Sequence, residues 1–238
     1  MAVSHSEITG PIVHLEVNEL SKLYDERRGL LPTTFRASKG ELIAIVGHNG
    51  AGKSTLLKML GSWILPDSGR ASVDGIDLGN RTAFVKKVGF VPETPNLFEF
   101  FSVEYNFKLF SRLFQVPLSR IEEILKEFDL LSYRKNKVQV LSKGLKQRVN
   151  IGRSLLPDPQ VILFDEPTLG LDFEMTREVY RLLKSIHASE KTVLFTSHRP
   201  EEIKTLATRI MVLHKGSMVF DGTPDEYFKS KAYKDLYL

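Results

Sequence analysis

Along the chain, short β-branched apolar runs alternate with stretches whose apolar residues recur at helical spacing. The runs read as strands at residues 12–17, 42–46, 88–91, 161–164, 193–196 and 210–213. Several are apolar at nearly every position, the pattern of parallel strands covered on both faces. Between them, residues 54–60 follow a glycine-rich turn, and residues 173–188 carry Val179, Leu182, Leu183 and Ile186 on one helical face. This alternation predicts an α/β fold around a mostly parallel sheet. Residues 102–131 break the rhythm. Val103, Phe107, Phe110 and Phe114 form one helical stripe, and Ile121, Ile124, Leu125, Phe128 and Leu131 form another. Val116-Pro117-Leu118-Ser119 separates them, with Ser119 the expected N-cap. The stretch reads as a helical subdomain inserted into the α/β core.

Composition narrows the class. The chain has 238 residues, 33 Lys+Arg against 29 Asp+Glu, and a formal charge of +4. An α/β domain of roughly 250 residues buries about three quarters of its unfolded surface, so residues 1–238 read as a single domain needing no staple. Cysteine is absent, which excludes a disulfide framework, a thiol nucleophile and a cysteine-ligated metal. The longest clean apolar run, residues 42–46, is far short of the roughly 20 residues a spanning helix needs. Residues 1–10 lack the basic and apolar pattern of a leader. A soluble, cytosolic chain is expected. The small net charge is spread over both signs, so no nucleic-acid partner is expected.

The strongest chemical signal is Gly47-His48-Asn49-Gly50-Ala51-Gly52-Lys53-Ser54, directly after one predicted strand and opening a helix. That is the context a phosphate-binding loop requires. Its glycines let backbone N–H groups turn toward phosphate oxygens, and the helix N-terminus adds its positive end. Lys53 supplies a point charge to the β- and γ-phosphates, and the Ser54 hydroxyl a ligand for Mg²⁺. A second run, Val161-Ile162-Leu163-Phe164-Asp165-Glu166-Pro167, delivers two carboxylates at the carboxyl end of a buried strand, where open α/β sheets bind ligands. Asp165 is expected in the Mg²⁺ shell, and Glu166 as the base that polarises an attacking water. Together these read as binding and hydrolysis of an Mg-nucleoside triphosphate, without saying what the energy drives.

Leu141-Ser142-Lys143-Gly144-Leu145-Lys146-Gln147-Arg148, shortly before Asp165, resembles the signature motif of ATP-binding cassette (ABC) proteins. The resemblance runs from about Ile12 to Phe228. It implies a P-loop NTPase fold with antiparallel N-terminal strands, an ATP-binding core over residues 12–97 and 141–228, and a helical insert over residues 98–140. It also implies that two cassettes pair head to tail around ATP, with Ser142 and Gly144 completing the γ-phosphate shell in trans. The family pattern usually has Gly where Lys143 stands and Gln where Leu145 stands; Lys143 brings a charge of its own. By the same resemblance Tyr24 stacks on adenine, Thr55 hydrogen-bonds the α-phosphate, Asp172 of Leu169-Gly170-Leu171-Asp172 helps join the protomers, and His198 contacts the γ-phosphate.

Glu93 stands where many relatives carry a Gln that ligates Mg²⁺. With the Lys143-containing signature and Gly170-Leu171-Asp172, it makes the chain similar to cassettes of ABC-2-type exporters. The implied partner is a separate transmembrane permease, which places the chain at the cytoplasmic face of the cell membrane. Phe98, Phe100 and Phe101 follow this joint. At least one of these rings is expected in the subdomain core, with the others either there or in an exposed patch that docks a permease helix. The competing function is a stand-alone ABC ATPase acting on a soluble complex. DNA-acting relatives separate loop and signature by long coiled coils, and translation-associated relatives carry two cassettes in one chain.

Overall fold

The computed structural model describes residues 12–25 and 28–237; the stretch read above as carrying no leader lies outside them. Two sheets stack around the helix that follows the phosphate loop. The first is antiparallel, order β2-β1-β4-β5, built from β1 (Val13–Asp25), β2 (Arg28–Ser38), β4 (Ser68–Val73) and β5 (Ile76–Asp77). The second has order β10-β9-β3-β8-β7-β6, built from β3 (Leu42–Val46), β6 (Val88–Val91), β7 (Val161–Phe164), β8 (Thr192–Thr196), β9 (Arg209–His214) and β10 (Ser217–Gly222). Its strands pair in parallel except β9 with β10.

Alternate residues of the central strands enter two separate cores. Leu42, Ala44, Val46, Ile162, Phe164, Val193 and Phe195 face one, and Ile43, Ile45, Val161, Leu163 and Leu194 face the other. Burial on both faces is why these runs lack the polar alternation of an exposed sheet. The second core lies under the antiparallel sheet and α1 (Lys53–Leu60). α2 (Arg81–Lys87) leads into β6. The first core is covered by α3 (Val103–Phe114), α4 (Leu118–Glu127), α5 (Lys143–Ser154), α6 (Phe173–Ala188) and α7 (Pro200–Leu206). The chain closes on α8 (Pro224–Lys229) and α9 (Lys231–Tyr237).

Three local expectations are corrected. β1 runs well past the predicted residue 17, because register shifts along its pairing with β2 hide the two-residue alternation. Ser119 falls inside the first turn of α4, and Pro117 takes the cap position without a side-chain bond. Leu131 leaves its stripe. α4 stops at Glu127, Asp129 adopts a left-handed φ of 53°, and Leu130 rather than Leu131 enters the core.

Candidate functional site

Parallel pairing gathers the carboxyl ends of β3, β6, β7 and β8 at one edge of the sheet. Directly beyond them come Gly47, Glu93, Asp165 with Glu166, and His198 respectively. Residues scattered over the sequence thus share one rim, the usual ligand edge of an open α/β sheet.

The loop after β3 is braced from both sides. The Ala51 N–H donates to the His48 carbonyl (3.1 Å), the Ala51 carbonyl accepts from Gly216 N–H (3.1 Å), and Leu31 N–H donates to the Gly216 carbonyl (2.9 Å). Gly52 sits at φ 103°, and a Cβ there would lie 2.7 Å from the Gly29 carbonyl oxygen, so only glycine fits both the turn and the space. His48, Asn49 and Gly50 form the exposed crest. No side chain caps α1, which leaves the first-turn N–H groups, those of Ser54 and Thr55 among them, open to an anion. The buried Lys53 folds back onto the loop, its Nζ donating to the carbonyls of Gly47 (2.7 Å) and His48 (3.2 Å). Burial pushes its pKa down, and the carboxylates of Glu166 and Asp165 push it back up. A phosphate arriving here relieves that strain on the charged form.

Across the rim, Ser54 Oγ donates to Asp165 Oδ1 at 3.0 Å. Thr196 Oγ1 donates to the same oxygen at 2.8 Å and accepts the Glu166 N–H at 2.8 Å. Thr196 was not among the sequence candidates; its only signal is a hydroxyl at the end of an otherwise apolar strand, two residues before His198. Its bond matters because Glu166 is a non-glycine residue at φ 48°, a conformation costing about 1–2 kcal/mol. The Glu166 side chain is 14% exposed, and its Oε2 lies 3.1 Å from Nδ1 of His198, which is 55% exposed. A carboxylate only accepts, so this contact assigns the proton to Nδ1 and leaves Nε2 free.

The donor set suits Mg²⁺. A hydroxyl and a carboxylate oxygen stand 3.0 Å apart beside the phosphate loop, and Mg²⁺ takes one or two such ligands with phosphate oxygens and water making up the rest. Among the described residues no group of three or more His, Asp or Glu side chains forms a metal cage. Mg²⁺ bound with a nucleotide needs none.

Glu93 is exposed beyond β6, and the neighbouring Asp165 N–H donates to the Val91 carbonyl at 2.9 Å. The segment after Glu93 is tied to the inserted helices. The buried Asn106 of α3 accepts the Phe98 N–H (2.9 Å) and donates to the Phe98 carbonyl (3.1 Å). Arg153 of α5 donates to the Asn96 carbonyl and lies 4.4 Å above the Phe110 ring. Burial lowers its pKa to about 10, which still leaves it charged near neutral pH.

The remaining candidates are not joined to the loop by any hydrogen bond among the described residues. Tyr24 is 57% exposed near the end of β1 and belongs to neither core. Ser142 caps α5, accepting the Leu145 N–H at 3.3 Å, and Lys143 is exposed beside it. Gly144 packs so tightly on Met175 that any side chain would collide with the sulfur. Asp172 caps α6 by accepting the Met175 N–H at 2.9 Å. Contrary to the expectation of a core ring, Phe98, Phe100 and Phe101 are 44%, 77% and 46% exposed, and Phe101 stacks on Tyr105 at 4.3 Å. The insert holds this segment by its backbone rather than its rings: Asn106 bonds Phe98, and the Phe101 carbonyl accepts the Val138 N–H at 3.0 Å.

This edge has the arrangement of a phosphate-loop nucleoside triphosphatase. A family model described as ABC transporter matches residues 30–169. The chain is 36% identical over 205 residues to the ABC transporter ATP-binding protein NatA of Bacillus subtilis, covering 83% of each. It is 33% identical over 217 residues to the Nod factor export ATP-binding protein I of Rhizobium etli, covering 89% of this chain and 69% of that one. A solved ATP-binding subunit of an ABC transporter superposes with a TM-score of 0.83 at 28% identity, over 94% of this chain and 98% of the other. The chain belongs to the ABC transporter family, as its ATP-binding, ATP-hydrolysing cassette. The similarity to a Nod factor export ATP-binding protein agrees with the ABC-2-type exporter group that the motifs indicate.

Proposed function

We propose that this chain is the ATPase subunit of a membrane exporter, pairing with a second cassette around ATP and driving a separate transmembrane permease from the cytoplasmic face of the membrane. The observation that carries the pairing is the exposed N-terminus of α5. Ser142 and Lys143 lie open to solvent, and none of residues 141–148 hydrogen-bonds the chain's own phosphate loop. A helix start that presents an exposed serine hydroxyl and an added lysine beside its positive end suits the phosphates of a nucleotide held by another cassette. Export is supported by the similarity to the Nod factor export ATP-binding protein of Rhizobium etli. No described helix is long and apolar enough to cross a membrane, so any transport path belongs to another chain or segment.

In this reading Lys53 and the α1 N-terminus bind the phosphates of ATP, Thr55 adds a hydroxyl at the α-phosphate, and Tyr24 offers its open ring face to adenine. Mg²⁺, held by Ser54, Asp165 and Glu93, supplies charge neutralisation at the phosphates when bound. Glu166 takes the proton from the attacking water, and His198 orients the γ-phosphate and Glu166 together. Ser142 and Gly144 act on the ATP held by the second cassette, with Asp172 at the seam. Changes at Glu93 pass through Asn96 and Phe98 to Arg153 and Asn106, and so to the insert that bears Phe100, Phe101 and Tyr105. Those rings make an apolar patch for a permease helix. The pairing is tested by light scattering on Glu166→Gln. ATP is expected to double its mass and ADP to leave it monomeric; a mass unchanged by ATP contradicts the pairing.

A further inference from the structure

Glu202 belongs to none of the motifs, yet it is the fully buried carboxylate nearest to them. It lies on α7, with 0% exposure. Its Oε1 accepts the Thr168 hydroxyl at 2.9 Å, and its Oε2 accepts the Ser197 hydroxyl at 2.6 Å. Thr168 stands two residues after Glu166, and Ser197 immediately before His198. Ser197 Oγ in turn accepts the Arg199 N–H at 3.0 Å, closing the turn that presents His198. Burying a carboxylate is costly unless donors satisfy it, and a neutral or apolar residue would fill this space at lower cost. Two hydroxyl donors, one from each catalytic segment, meet that cost here.

We propose that Glu202 is a positioning residue for ATP hydrolysis, its carboxylate fastening the segments that carry Glu166 and His198 to one helix so that the two side chains meet at 3.1 Å. The proposal rests on the roles given to Glu166 and His198 above. Thr196 fixes the same pair from the sheet side, through the Glu166 N–H. The two segments are thus held at both ends of the turn, by a strand hydroxyl and by a helix carboxylate. Small displacements of positioned groups cost large factors in rate, so loosening one anchor acts on turnover before it acts on binding.

The test is steady-state kinetics of the full chain with Glu202→Gln, which keeps the side-chain volume, and Thr168→Val, which removes one donor without opening a cavity. Glu202→Gln is expected to lower kcat about tenfold and Thr168→Val about threefold, with KM for ATP held within about twofold. In a His198→Ala background, followed by slow single turnovers, Glu202→Gln is expected to change the rate less than about twofold, because its effect passes through His198. A melting temperature that falls while kcat per folded protein stays unchanged in both variants overturns the proposal. An equal loss of kcat with and without His198 also overturns it. Wild-type turnover by His198→Ala alone refutes the role assigned to that histidine, and the proposal falls with it; that outcome is read from a different variant.

Discussion

Glu166→Gln is expected to lower ATP turnover at least about a hundredfold, roughly 2.7 kcal/mol of barrier, while leaving ATP affinity near that of the unaltered chain. Glu166 is mostly covered, its carboxylate meets His198 Nδ1 at 3.1 Å, and its backbone is pinned by Thr196. Gln preserves the size, the left-handed backbone and a hydrogen-bonding oxygen, so fold and nucleotide site survive. What it loses is the basic carboxylate that takes a proton from water. Phosphate release by purified protein, set beside ATP binding by calorimetry, checks both halves. Turnover within a few-fold of the parent moves the base elsewhere.

Lys53→Ala acts on the earlier step. A charge-assisted hydrogen bond is worth about 1.5–3 kcal/mol, so ATP affinity is expected to fall between about ten- and a hundredfold. Stability is expected to change little or even to rise. In the structure Lys53 is a buried cation bonded to two loop carbonyls, with its charged form disfavoured by burial. Removing it deletes a desolvated charge as well as two contacts. Calorimetric titration with ATP checks the affinity, and thermal unfolding without nucleotide checks the stability. An unchanged affinity contradicts the assignment of the phosphate loop.

Much of the site was legible because its parts are local. Gly47 to Ser54 and Asp165-Glu166 are each contiguous, sit at the ends of runs too apolar to be anything but buried strands, and need only parallel pairing to meet. The residues that were not legible act across the chain. Thr196 binds Asp165 and Glu166, Arg153 reaches the Asn96 carbonyl, Asn106 holds Phe98, and Glu202 joins Thr168 to Ser197. Each is an ordinary residue at its own position and gains meaning only from what folds against it. The same holds for the fold. The all-apolar central strands announced themselves, whereas β1 lost its alternation to register shifts, and the left-handed turn at Asp129 put Leu130 rather than Leu131 in the core. The three phenylalanines show the converse limit: at least one ring was expected in the core, yet all three are exposed, on a segment held by its backbone.

The central claim is that this ATPase serves a membrane transporter. It is tested most directly by recovering tagged Glu166→Gln protein with ATP from detergent-solubilised native membranes and identifying what comes with it by mass spectrometry. One polytopic membrane protein is expected as the main stoichiometric partner, lost when Lys53 is also replaced by alanine. Soluble proteins or ribosomes as the main partners, with no polytopic protein among them, would leave the ATPase in place and contradict the transport function.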